Sequence, residues 1–243
     1  MEHAHSRFRD ALALVFASLF PLAISCLYFL VFDDPESPAA RIAYGLGKAI
    51  QFGFPAVYVW CYERERLGIP QPTWRGVPLG VGFALLVATA MFTLYFGGVR
   101  DIPAVRDETP ARVWDKVQQF GLATPLGYLA MSAFLSGVHS LGEEYYWRWF
   151  VFGTMRRHMP VALAVALSSI GFMLHHVVVL GVYFPGHFWT LAVPFSLCVA
   201  VGGAVWAWSY HRGNTLYAPW LSHALVDAAI LTLGFIMLQR YWP

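Results

Sequence analysis

The sequence predicts an all-α fold, a polytopic bundle of transmembrane helices, and three observations lead to that class. Hydrophobic residues make up 58% of the 243 residues and charged residues only 12%, whereas soluble domains average about 45–50% and about 25%. Several apolar runs are about 20 residues long, the length that crosses a bilayer as a helix. The runs are continuous rather than alternating, which disfavours a membrane β-barrel.

About seven to eight spans of this length are expected. The first apolar run follows Arg7 and Arg9 and resembles a signal sequence, but it continues through Leu30 and is long enough to span. We therefore expect it to be an uncleaved first helix. The seven spans whose limits can be read directly lie at about 11–32, 42–62, 77–99, 122–147, 161–182, 187–210 and 217–239.

The longest interruption between spans, residues 100–120, predicts an interfacial helix near 109–120. Thr109 and Pro110 are the residue types of an N-cap and a first-turn proline. Apolar residues then recur at helical spacing with charged residues between them, which is typical of an amphipathic helix lying in the membrane interface. We interpret this helix as a connector rather than as a lid over a site.

The two halves of the chain differ in their polar content. Residues 1–121 form the N-terminal spans and the interfacial segment, and their only polar cluster inside a predicted span is Lys48 with Gln51. Residues 122–243 carry several ionisable groups inside predicted spans. We treat the halves as parts of one integrated membrane domain, with the functional core at 122–243.

Ionisable residues inside a bilayer are costly and usually mark function. In the first cluster, "LGEEYYWRWF", Glu144 and Arg148 are four residues apart and share a helix face. Glu143 points about 100° away, so Arg148 can neutralise Glu144 and leave Glu143 available.

Two further clusters lie on the spans that follow, and we expect all three to converge on one site. "FMLHH" ends in His175 and His176, and "LSHALVDA" places His223 and Asp227 four residues apart on one face. Because neighbouring residues on a helix diverge by about 100°, we expect only one of the two adjacent histidines to face the site.

This set of side chains suits hydrolysis of an amide by an activated water. A carboxylate beside a histidine can deprotonate water, and a second histidine can donate a hydrogen bond to the developing oxyanion. The zinc-protease motif HExxH is absent. Three alternatives stay open: a proton-coupled transporter, a metal-dependent membrane hydrolase and a non-catalytic membrane partner.

Charge and cysteine content disfavour two other classes, nucleic-acid-binding proteins and proteins built on disulfides or CxxC metal motifs. The net charge of +2 and the lack of a basic patch interleaved with aromatic residues give no case for nucleic acid binding. The three cysteines are scattered and form neither a disulfide framework nor a CxxC metal motif.

Taken together, the three motifs resemble those of the CPBP family, also called Abi, which contains the CAAX-processing Rce-type proteases. "EEYYWR" is similar to the family's EExxxR motif, "FMLHH" to FxxxH with Phe172 and His176 in register, and "HALVD" to HxxxN/D. The resemblance covers roughly 135–235.

The resemblance implies a glutamic intramembrane endopeptidase that needs no cofactor and no metal. It implies that Glu143 and His176 activate water and that His223 and Asp227 stabilise the oxyanion. It also implies that Glu144 and Arg148 support the site, and it gives no role to His175. An ionised aspartate cannot donate a hydrogen bond, so Asp227 departs from the asparagine that the motif also allows.

The partners implied are the lipid bilayer and a membrane-anchored protein or peptide substrate. A prenylated protein, a peptide pheromone and a C-terminal sorting anchor all stay open as substrates. We expect an integral multi-pass protein of a prokaryotic cytoplasmic (inner) membrane.

Overall fold

The computed structural model describes residues 2–32, 37–63 and 71–242, and within these ranges it contains helices and no strands. A continuous helical run over 125–155 is named α5 and comprises Pro125–Phe134, Leu135–His139, Ser140–Glu144, Tyr145–Phe152 and Gly153–Met155. The other main helices are α1 (Glu2–Cys26), α2 (Pro38–Tyr58), α3 (Val77–Phe96), α4 (Thr109–Gln119), α6 (Val161–Tyr183), α7 (Val193–Gly213) and α8 (Tyr217–Met237). Wider π-helical turns extend α1 over Leu27–Val31 and α2 over Val59–Glu63, and similar turns precede α4 (Ala104–Glu108) and α7 (Phe188–Ala192).

Five helices in the described residues are long and apolar enough to cross a membrane, so the predicted all-α polytopic class is confirmed. The predicted spans 42–62 and 122–147 correspond to α2 and α5, and the total number of spans stays a prediction. The five segments are Arg7–Val31, Val77–Phe96, Val161–Tyr183, Phe188–Gly213 and Tyr217–Met237.

The outer surface of the bundle is apolar. On α3, for example, the large side chains Leu79, Leu85 and Leu86 are exposed, whereas the buried positions are the small residues Gly80 and Ala84. Large contiguous apolar surface of this kind marks contact with a membrane rather than with water. The chain is therefore an integral membrane protein whose long side chains face lipid.

The second half of helix α5 lies in the centre of the bundle. Every residue over 146–155 is buried, and α5 contacts α1, α2, α6, α7 and α8. Aromatic residues such as Tyr146, Trp147 and Phe150 form most of the core at this point. Because the protein surrounds this second half of α5, Glu143, Glu144 and Arg148 are buried, which explains how a membrane protein accommodates "LGEEYYWRWF".

A close helix–helix contact fixes the position of α8, the helix that carries His223 and Asp227. Helix α8 packs along α3, and a Cβ atom added to Gly80 would lie 2.8 Å from the carbonyl oxygen of Ala218. Only glycine permits this approach without a backbone shift. Small residues allow such close contacts between helices in membranes.

Helix α4 is present where the sequence predicts it, but Thr109 does not cap it. The helical turn Ala104–Glu108 runs directly into α4. Thr109 therefore lies inside a helical segment, and its hydroxyl donates to the carbonyl oxygen of Tyr183 over 2.9 Å. The N-cap expectation is wrong because the preceding residues are already helical, and the hydroxyl attaches α4 to the end of α6 instead.

The first half of the chain contains a second buried polar cluster besides Lys48 and Gln51. Asp10, only 1% exposed, accepts hydrogen bonds from Tyr58 (2.6 Å) and Arg9 (3.1 Å) and lies 3.0 Å from His158 Nε2. These contacts connect α1, α2 and the segment after α5. The sequence-based expectation missed this cluster because its members are far apart in sequence and Asp10 precedes the predicted span.

Candidate active site

The two adjacent glutamates of α5 point to different partners, as helical geometry predicts. Glu144 Oε2 lies 3.2 Å from Arg148 Nε, and both side chains are buried. The Arg148 guanidinium also lies over the rings of Phe172 (4.6 Å) and Trp206 (5.3 Å), a favourable cation–π arrangement. Arg148 is thus committed to Glu144 and its aromatic neighbours, and it forms no ion pair with Glu143 among the described residues.

Glu143 is surrounded by imidazole rings. Its Oε1 lies 3.4 Å from His139 Nε2 and 3.6 Å from His175 Nε2, and its Oε2 lies 3.7 Å from His223 Nε2. The Glu143 side chain is buried, and these three histidines come from three helices, α5, α6 and α8. A buried carboxylate with several nitrogen neighbours can exchange protons at short range, which is what acid–base chemistry requires.

Both histidines of α6 approach Glu143, so the expectation that only one would do so is wrong. One ligand atom from each of Glu143, His175 and His176 can be chosen so that all three lie within 4.8 Å of one another. The two imidazole rings are 4.1 Å apart. The backbone directions diverge as expected, but the side chains are long enough for both rings to lean toward the same point.

The hydrogen bonds of these two rings differ. His176 Nδ1 lies 2.9 Å from the carbonyl oxygen of Phe172, and because a carbonyl only accepts, Nδ1 carries a proton. In the neutral ring, Nε2 of His176 then holds a free lone pair. His175 Nδ1 is buried without a hydrogen-bond partner.

His223 connects the two glutamates. Its Nδ1 lies 2.9 Å from Glu144 Oε1, and its Nε2 faces Glu143 and lies 3.6 Å from Asp227 Oδ1. The ring also stacks on Trp206 at 4.1 Å with a 17° interplanar angle. Carboxylate and indole together fix the direction of the imidazole, so that Nε2 points into the cluster.

The structure therefore brings together the residues that the sequence singled out: Glu143, Glu144, Arg148, His176, His223 and Asp227. It adds His139, His175 and Trp206, which sequence reasoning left out or gave no role. His139 stands four residues before Glu143 on the same helix, and that spacing was a usable signal. The place of Trp206 depends on how α7 packs against α8, and no local pattern reveals it.

Fold and site define a polytopic α-helical membrane protein with a buried carboxylate–histidine cluster at its centre. Residues 124–229, which contain all three motifs, match the family described as type II CAAX prenyl endopeptidase Rce1-like. This part of the chain is therefore similar to the CAAX protease (CPBP) family. The proteins of that family are peptide hydrolases that act on membrane-associated proteins. No curated protein and no solved structure matches the chain.

Proposed function

We propose that this protein is a glutamic intramembrane endopeptidase, in which Glu143 is the base that activates water for attack on a peptide bond. The observation that carries the proposal is the surroundings of Glu143, a buried carboxylate facing histidines from three helices and not paired with Arg148. The family match supports peptide hydrolysis, and this geometry supports the glutamate as the reacting group.

The first step would take place between Glu143 and His176. A ligand atom of each group lies within 4.8 Å of the other, a distance that one water with two hydrogen bonds of about 2.8 Å can span. The water donates one proton to the Glu143 carboxylate and its second hydrogen bond to the free Nε2 of His176. Its oxygen then attacks the carbonyl carbon of the substrate, and Glu143 passes the proton to the departing amine.

His223 and Asp227 would stabilise the oxyanion. Glu144 accepts a hydrogen bond from the Nδ1–H of His223. In the protonated ring, Nε2–H can then donate to the developing negative charge. Asp227 contributes a second donor when it is protonated. Glu144 and Arg148 support the site by holding His223 in place, and neither touches the reacting atoms.

Substitution of Glu143 tests the proposal. Glu143→Gln keeps the size of the side chain and removes the base, so cleavage of a membrane-anchored peptide by purified protein should fall by roughly 10²–10⁴-fold, the range for general acid–base catalysis. The matched control is Glu108→Gln, because Glu108 is exposed and lies outside the cluster. A Glu143→Gln variant that folds and cleaves at the wild-type rate would reject the assignment.

A metal-dependent hydrolase is the second candidate, and one observation favours it. Glu143, His175 and His176 form a carboxylate–imidazole group within 4.8 Å, and two histidines with a glutamate are a known catalytic zinc set. Metal-binding histidines usually donate their other ring N–H to a partner. His176 does so to Phe172, but His175 Nδ1 has no partner, so the surroundings fit zinc only in part.

Metal content separates the two candidates. For the glutamic mechanism, purified active protein should contain no stoichiometric zinc, and chelator should leave its rate unchanged. Loss of cleavage in chelator and its return on addition of zinc would establish the metal-dependent reaction instead.

A further inference from the structure

Helix α2 contributes a polar wall beside the Glu143 cluster, formed by Lys48 and Gln51. Phe52, the next residue on this helix, packs against α5, since a Cβ on Gly142 would lie 3.2 Å from its ring. The Phe52 ring is 6.0 Å from the ring of His139 and 5.8 Å from Lys48 Nζ. Phe52 thus places this turn of α2 against the part of α5 that carries His139 and Glu143.

The hydrogen-bonding capacity of Lys48 and Gln51 is only partly used within the protein. Lys48 Nζ donates to Gln51 Oε1 over 3.1 Å, and among the described residues no carboxylate forms an ion pair with it. Gln51 is 0% exposed, and its Nε2 is buried without a hydrogen-bond partner. The amide N–H groups of Gln51 therefore have no protein acceptor, and the ammonium of Lys48 has no carboxylate partner among the described residues.

Such an arrangement is costly unless a ligand completes it. A buried donor without an acceptor is destabilising, and a lysine inside a bilayer is rare outside functional sites. A salt bridge to Glu143 would explain the lysine alone, but the hydrogen bond of Lys48 goes to Gln51, and the free amide of Gln51 would still lack a partner. An anion that accepts from both side chains explains the two observations together.

We propose that Lys48 and Gln51 form a binding site for a carboxylate group of the substrate, close to the bond that is cleaved. The proposal rests on the proposed function and names a feature of the substrate of that same site. Ammonium and amide N–H groups are good donors to a carboxylate, and the ammonium offsets the repulsion from Glu143 and Glu144. The carboxylate is either the C-terminus of the substrate or an acidic side chain near it.

Binding of matched peptides tests the site without depending on cleavage. Three fluorescent farnesylated peptides are compared in lipid nanodiscs. The first has a free C-terminal carboxylate, the second has the same sequence with a C-terminal amide, and the third is this amide with its last residue replaced by glutamate. We expect wild-type protein to bind the free carboxylate at least about tenfold more tightly than the neutral amide, in the range measured for hydrogen bonds to charged groups. Tight binding of the glutamate peptide would show that the site also accepts the carboxylate of an acidic side chain.

Substitutions of Lys48 and Gln51 test whether these residues cause the preference for the carboxylate peptide. Lys48→Met keeps the length of the side chain and should bring the carboxylate and amide peptides to within about twofold of each other, whereas Lys48→Arg should keep the preference. Gln51→Leu should weaken it in part. The control is Arg212→Met, because Arg212 is exposed and far from the site. It lies on α7, roughly 13 Å along the helix from Gly203, whose carbonyl oxygen accepts a hydrogen bond from Arg148.

Two results would overturn the proposal: equal binding of all three peptides by the wild type, or an unchanged preference in Lys48→Met. If Lys48 only adjusted the charge of Glu143, kcat would change equally for all peptides and the difference in binding would persist. The Glu143→Gln experiment reports separately on the cleavage mechanism, so a protein that binds carboxylates without cleaving peptides would contradict the proposed function alone.

Discussion

His175 and His176 both approach Glu143 but use their ring nitrogens differently. His176 is fixed by Phe172 and offers a free Nε2, whereas His175 faces the Glu143 carboxylate itself. We expect His176→Ala to reduce cleavage by about 10²–10⁴-fold. His175→Ala should cost roughly 10–100-fold, the range for groups that orient a reacting residue. Steady-state rates of the purified variants check this order, and a larger loss for His175→Ala would exchange the two roles.

The substitution Asp227→Asn tests whether Asp227 donates a hydrogen bond to the oxyanion or orients His223. Its Oδ1 is 3.6 Å from His223 Nε2, too long for a hydrogen bond, while Glu144 already holds the other nitrogen of that ring. Asp227 is therefore better placed to donate to the oxyanion than to orient His223. We predict that asparagine, a permanent donor, retains most of the activity. A drop of roughly 10²-fold, comparable with loss of an oxyanion donor, would instead indicate that the carboxylate charge is required.

The contact between α3 and α8 positions His223 and Asp227, the proposed oxyanion residues, and Gly80 allows this contact. Gly80→Ala would place a methyl group 2.8 Å from a backbone oxygen, so α8 must shift. We predict a loss of about 1–3 kcal/mol in stability together with reduced cleavage. Gly82→Ala is the matched control on the same helix, because nothing lies within 4 Å of its added Cβ, and its higher helix propensity should stabilise slightly. Thermal unfolding of both variants in the same detergent distinguishes them, and equal melting temperatures would contradict the packing argument.

Across the whole molecule, the cluster around Asp10 joins helices that the active site does not connect directly. Asp10 receives hydrogen bonds from α1 and α2 and contacts His158 beyond α5. Asp10→Asn removes the charge and leaves at least one donor poorly matched, which should cost about 1–3 kcal/mol of stability. The rate per folded molecule should stay near wild type, because no member of this cluster touches Glu143.

Two measurements check this prediction, the unfolding midpoint and the cleavage rate of the folded fraction. Asp115→Asn, at an exposed position of α4, serves as the control and should change neither. Full retention of stability in Asp10→Asn would mean that the cluster adds nothing to the assembly of the bundle.

The sequence by itself determined the fold class and the main members of the site. Long apolar runs require helices in a bilayer because the backbone must satisfy its own hydrogen bonds there. The spacing of Glu143, Glu144 and Arg148 also fixed which carboxylate meets the arginine, since that pairing depends only on the geometry of one helix. The same local rule failed for His175 and His176, whose rings extend beyond the backbone directions that the rule describes.

Only the tertiary structure decided which atoms face one another across helices. Three kinds of contact join residues far apart in sequence. They are the contacts of His223 with Glu144 and Trp206, the packing of Phe52 from α2 beside His139, and the cluster around Asp10. Such contacts depend on the order and rotation of the helices in the bundle. That arrangement results from side-chain packing at close contacts such as Gly80 with Ala218, which hydropathy and periodicity do not encode.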